Sequence, residues 1–119
     1  MHELSLCQAI CESVARYADG REVRRVDVRV GYLRQVVPES LHMAWELLTE
    51  HTNLGGAELV IEHVPAVVLC SACGAETTLD WPVLMCGACE RTEVALRSGE
   101  ELDIVSIDVA APDQAERVR

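Results

Sequence analysis

Four cysteines stand in two pairs, Cys70-Ser-Ala-Cys73 and Cys86-Gly-Ala-Cys89, with twelve residues between them. If the intervening segment folds back as a hairpin, four thiolates converge on one point. Tetrahedral zinc requires that arrangement, and soft sulfur selects zinc over hard cations. Gly74 and Gly87 suit the tight turns that wrap sulfur around a metal. The gap is slightly shorter than the commonest spacing for such sites, but the doubled pair is a strong signal. Four sulfurs close the coordination shell, so the zinc is structural and not catalytic. The competing readings are two disulfides or a redox Cys-x-x-Cys, and two such pairs fit a metal site better.

The other residues with chemical potential are fewer. Met1, His2 and Glu3 offer a terminal amine, backbone amides and an imidazole, a set of nitrogens that can chelate in one plane. Square-planar nitrogen sites suit nickel or copper. On residue types alone this opening also reads as an accident of sequence. Glu39, His42 and Glu46 share the polar face of a helix, which reads first as a solvated face and second as a metal site. Cys7 and Cys11 are i,i+4 neighbours that read as small core residues before they read as ligands. His63 reads as a satisfied structural residue. Trp81 reads as cover for the ribbon or as a contact for a partner. No nucleophile–base pair and no phosphate-binding glycine loop is present, so the chain is not read as an enzyme.

The elements that position these groups follow from periodicity. Cys7, Ile10, Cys11, Val14 and Tyr17 recur at three- and four-residue steps and predict a helix over 3–19, stopped at Gly20. Val26, Val28 and Val30 alternate with Arg25, Asp27 and Arg29, a half-buried strand that ends at Gly31. Pro38 and Glu39 open a second helix that buries Leu41, Ala44, Trp45 and Leu48. Thr52 to Gly56 is a loop. Leu59 and Ile61 alternate with Glu58 and Glu62 in a second strand, and Pro65 marks its exit. Ala66 to Leu69 leads into the first cysteine pair. Leu79, Trp81, Val83 and Leu84 are expected to pack over the ribbon. Val94 and Leu96 suggest a short strand, and Val105, Ile107 and Val109 a last core strand.

The fold class is therefore α+β. A small three-stranded mixed sheet carries two helices on one face, and a zinc-ribbon lobe is inserted. Residues 1–66 and 92–110 form the discontinuous core, 67–91 the lobe and 111–119 a flexible tail. Half the chain is apolar, phenylalanine is absent, and every basic residue is arginine. The net charge of -10 repels phosphate backbones and argues against nucleic acid. No stretch approaches the ~18 apolar residues of a membrane span. The start lacks the basic flank and apolar run of a signal peptide. The cysteines suit a metal site in a reducing compartment, which places the chain in the cytoplasm.

In combination the chain resembles the HypA family of nickel metallochaperones for hydrogenase maturation. The resemblance rests on Met1-His2-Glu3-Leu4-Ser5, Val37-Pro38-Glu39-Ser40-Leu41, the four paired cysteines, and Gly99-Glu100-Glu101-Leu102 with Ile104 and Ile107. It implies nickel as cargo bound at Met1, His2 and Glu3, and structural zinc on Cys70, Cys73, Cys86 and Cys89. Some members use a further acidic ligand on the second helix, for which Glu39 is the nearest match. It also implies a maturation GTPase and the large subunit of [NiFe]-hydrogenase as partners, with urease as a further recipient. The alternative is a zinc-ribbon adaptor that binds protein or nucleic acid.

Overall fold

The computed structural model describes residues 2–110. Helix α1 spans His2–Ala18, strand β1 Val23–Gly31, a 3-10 turn Tyr32–Arg34, and α2 Pro38–Thr49. Strands β2 (Glu58–Val64), β3 (Val67–Cys70), β4 (Glu76–Thr78), β5 (Val94–Ser98) and β6 (Leu102–Val109) follow. They form two three-stranded sheets, ordered β2-β1-β6 and β4-β3-β5. The last core strand joins the first two, as its alternation predicts. The expected tail, 111–119, lies outside the described residues.

The chain divides into two compact units. Among the described residues, the first holds 2–28, 36–61 and 104–110; the second holds Arg29–Gln35 and Glu62–Asp103. In the first unit α1 packs on α2 through an aliphatic core. Cys7, Ile10, Val14 and Ala18 of α1 are buried, as are Val23, Val26 and Val28 of β1 and Leu41, Ala44 and Trp45 of α2. Pro38 occupies the first turn of α2, where a missing N–H costs nothing. The Trp45 indole donates to the Ala57 carbonyl at 3.0 Å, so the large ring is buried with its polar atom satisfied. α1 ends where Asp19 and Gly20 take positive φ (52° and 83°), and Arg21 Nε then donates to the Ala18 carbonyl at 2.9 Å.

In the second unit β3 is the central strand. It pairs antiparallel with β4 (Val67 to Thr78, Leu69 to Glu76) and with β5 (Val68 to Leu96, Cys70 to Val94). Two glycines permit close backbone approach here. A Cβ on Gly31 would collide with the Gly99 carbonyl, and one on Gly99 would meet Ala66 Cα at 2.6 Å.

Several expectations are corrected. Tyr17 is 70% exposed, because Ala18, four residues after Val14, continues the buried stripe instead. Cys11 is only half buried. Val67 to Cys70 is a strand and not a simple lead-in; a short unbroken apolar run carries no alternation to reveal it. Trp81 is 70% exposed, and Val83 and Leu84 are exposed with it. The Val83 amide closes on the Trp81 carbonyl at 2.7 Å around Pro82, and the side chains do not cover the ribbon. His63 is exposed although it shares the parity of Leu59. Val105 is exposed because the half-buried positions of β6 slip phase between Ile104 and Ile107.

Candidate metal centre

The two cysteine pairs sit on two copies of one turn. In the first, the Cys70 amide donates to the Ala75 carbonyl at 2.9 Å, and the Gly74 amide donates back to the Cys70 carbonyl at 2.9 Å. In the second, the Cys86 amide donates to the Arg91 carbonyl at 2.8 Å, and the Glu90 amide donates back to the Cys86 carbonyl at 2.9 Å. The offsets of five and four residues are the same. Each turn needs one left-handed residue. Gly74 fills that place in the first (φ 78°), and Glu90, not Gly87, fills it in the second (φ 65°). Gly87 serves for space: its Cβ would meet the Thr77 side chain at 3.1 Å, and its amide donates to Thr77 Oγ1 at 2.9 Å.

The turns aim four sulfurs at one point. Cys70 Sγ lies 3.7 Å from Cys89 Sγ, Cys73 Sγ lies 3.6 Å from Cys86 Sγ, and all four ligand atoms lie within 4.8 Å of one another. A tetrahedron of zinc–sulfur bonds of about 2.3 Å sets its sulfurs about 3.8 Å apart. The donor set therefore fits a four-coordinate thiolate metal and leaves no open position. No disulfide joins any of these cysteines. Cys70 and Cys86 are buried, Cys89 is intermediate and Cys73 is exposed.

The local electrostatics prepare thiolate. The amides of Cys89 and Ala88 point at Cys86 Sγ, at 3.5 and 3.3 Å, and lower its pKa to about 6. The Cys73 amide, followed by that of Ala72, also lowers Cys70. Cys89 is pushed up to about 12: the Arg91 amide favours its thiolate, but burial and the three neighbouring thiols outweigh it. Cys73 moves up as well: the Ala75 amide lowers it, but the Cys86 thiol, burial and the Cys70 thiol together outweigh that amide. Four thiolates in so small a space repel one another. A divalent ion removes that conflict.

The remaining candidates are placed as follows. Met1 lies outside the described residues. His2 is exposed at the start of α1, and Glu3 follows it. Glu3 Oε2 accepts the Val37 amide at 3.0 Å, which brings the start of α1 to the start of α2, two residues before Glu39. That amide, then Glu3's own, hold the Glu3 carboxyl below the usual range. Glu39, His42 and Glu46 are exposed along α2. Among the described residues, the four cysteines are the one group of three or more His, Cys, Asp or Glu side chains able to share a metal. Cys7 and Cys11 are free thiols in contact on α1. Cys11 and burial push Cys7 up, and the Cys7 contact lowers Cys11. The spacing of the cysteines revealed the metal centre. Glu90 and Thr77 were missed, since neither a left-handed glutamate nor a cross-loop hydroxyl has a sequence signature.

Among the described residues, the α+β fold and its cluster of four converging thiols define a protein built to bind a metal. Residues 1–109 match the family described as "HypA: Hydrogenase/urease nickel incorporation, metallochaperone, hypA". A hydrogenase maturation factor HypA of Desulfosudis oleivorans is 42% identical over 113 residues, covering 92% of this chain and 98% of that one. One from Nostoc sp. is 36% identical over 109 residues, covering 92% and 96%. The fold is similar to the solution structure of the nickel metallochaperone HypA from Helicobacter pylori. That match has a TM-score of 0.61 at 22% identity and covers 93% of this chain and 99% of the other. The chain belongs to the HypA family of nickel metallochaperones, hydrogenase maturation factors that are not catalysts. No helix among the described residues is long and apolar enough to cross a membrane.

Proposed function

We propose that the chain takes Ni(II) at its amino terminus and delivers it to a maturing [NiFe]-hydrogenase, with urease as a second possible recipient. The observation that carries this reading is the family match over residues 1–109, together with the sequence Met1-His2-Glu3, whose His2 and Glu3 open α1. The Met1 amine, the His2 amide and imidazole, and the Glu3 amide are the nitrogens that hold nickel, in fused chelate rings. The His2 and Glu3 amides lie in the first turn of α1, where a helix supplies no carbonyl one turn back. Glu39 is a further candidate ligand, on the end of α2 that Glu3 holds.

Cys70, Cys73, Cys86 and Cys89 hold structural zinc; residues 67–91 are the zinc lobe, and 1–66 with 92–110 the nickel-binding core. Tetrahedral sulfur also suits iron, and elemental analysis separates the two. A maturation GTPase and the hydrogenase large subunit are the proposed partners, in the cytoplasm. A charge of -10 supports protein partners over nucleic acid.

The test is calorimetric titration of nickel into tag-free protein and into the same chain with a short amino-terminal extension. The extension turns the amine into a peptide nitrogen. It should weaken nickel binding at least about 100-fold, or roughly 2.7 kcal/mol, and leave zinc content unchanged. His2→Ala should act likewise. Equal affinity in the extended chain would move the site elsewhere, with Glu39, His42 and Glu46 next to be tested.

A further inference from the structure

β2 is an edge strand of its sheet, and a groove runs along it within the first unit. Five consecutive residues, Ala57 to Ile61, line that groove, faced by His42, Trp45 and Glu46 of α2. Side chains of a strand alternate between its two faces, so a cleft over one face meets every second residue. A cleft that meets five in a row runs along the strand's edge, where the backbone is presented. The Ala57 carbonyl already takes a donor from α2, the Trp45 indole. In an extended strand the amide and carbonyl of one residue point the same way, and the direction alternates from residue to residue. The groups of Leu59 and Ile61 therefore face the side that the Ala57 carbonyl faces.

The middle of this edge lacks the devices that usually blunt one. Leu59, Val60 and Ile61 carry no charge and are strand formers, and Pro65 comes only after the strand ends. The lining residues include Glu46 and Glu58 and no arginine, although Glu58 also feels Arg25.

We propose that the β2 edge, opposite His42, Trp45 and Glu46 of α2, is a docking site for an extended cationic segment of a partner protein, which adds to the sheet as a further strand. Backbone pairing supplies the affinity, and the carboxylates select basic side chains. The reading rests on the strand edge and its carboxylates and not on nickel binding at the amino terminus.

The probe is a seven-residue peptide alternating valine and arginine, with a copy N-methylated at every amide, at about 0.15 M salt. The unmodified peptide should bind and slow hydrogen exchange at the Leu59 and Ile61 amides. The methylated copy lacks the donors and should bind at least about tenfold more weakly. Glu46→Arg should weaken binding several-fold more than Glu12→Arg, which makes the same charge change off the groove. Equal binding of the methylated copy would reduce the effect to charge attraction and overturn the proposal. Protection confined to residues outside Glu58–Ile61 would overturn it too. So would sedimentation showing a dimer whose Leu59 and Ile61 amides are already protected, since the occupant would then be a second copy.

Discussion

The two units are held together by different physics. The first has an aliphatic core drawn from α1, β1, α2 and the loop that leads into β2, with Val14, Val26 and Leu41 wholly buried. The metal lobe of the second buries little beyond Ala66, Val68, Cys70 and Cys86, and it displays Trp81, Val83, Leu84 and Met85 to solvent. A lobe of that size cannot bury enough apolar surface to hold itself closed, and a metal supplies what is missing. On the proposed reading the division also separates roles. A cargo site that must load and release its metal belongs with an element stable without it. A closed site belongs where the metal is permanent.

The largest expected effect is loss of the lobe metal. Cys86→Ser should abolish binding of the proposed zinc, since structural zinc contributes about 10–16 kcal/mol of apparent binding free energy to the folding of small domains. Amide signals of β3, β4 and β5 should collapse while the helical circular dichroism of α1 and α2 persists. A lobe that stays folded and metal-free would break the comparison.

In the first unit the matching substitution is Leu41→Ala. Leu41 is wholly buried, and its truncation should cost about 2–5 kcal/mol, read as a lower thermal midpoint with zinc content unchanged. Loss of zinc from this variant would show that the units are not independent.

How much was legible follows the same division. α1, β1 and α2 were readable to within a residue or two, because an amphipathic element writes its burial as a period. The four-sulfur centre was readable because coordination demands a fixed spacing. The second sheet was not read as a sheet. β3 is four residues of unbroken apolar sequence, β4 is Glu-Thr-Thr, and their pairing is set by the cysteine turns. The outward turn of Trp81 to Leu84 was illegible for a related reason. Hydrophobic residues signal a core only where a core closes the structure, and here sulfur does. Tyr17 failed at the end of α1 and Val105 in the middle of β6, where the alternation slips between Ile104 and Ile107; in both, one residue of phase decides the face.

A smaller effect sharpens the symmetry of the two cysteine turns. Glu90 sits left-handed (φ 65°) where Gly74 sits in the other turn. A non-glycine residue pays about 1–2 kcal/mol there, and glycine loses about 0.5–1 kcal/mol more chain entropy on folding. Glu90→Gly should therefore stabilise the lobe by about 0.5–1 kcal/mol, and Gly74→Ala should destabilise it. Competition for zinc against a chelator of known affinity measures both. Opposite signs for the two variants support the repeat, and a weakened Glu90→Gly site would refute it.

The smallest effect concerns the bond between the helix starts. The Glu3 carboxylate accepts the Val37 amide, and that contact depresses its pKa. A folded-state pKa below the unfolded one means that the unfolded chain binds the proton more tightly. The contribution is then complete above the unfolded value, about 4.3 for glutamate, and is lost as pH falls through the lower folded value. Its pH dependence should be invisible near neutral pH, where the contribution is fully present, and should concern the first unit alone. The Val37 amide resonance is a direct reporter: its shift should titrate with a midpoint below the ordinary glutamate range. In Glu3→Gln the carbonyl oxygen still accepts but carries no charge, so that titration should vanish and the acid loss of α1–α2 stability should shrink. Because the same residue supplies an amide to the proposed nickel site, nickel titration of Glu3→Gln discriminates further. Unchanged affinity assigns the side chain to holding α1 against α2, whereas a weakened site would make the carboxylate itself part of the metal's surroundings.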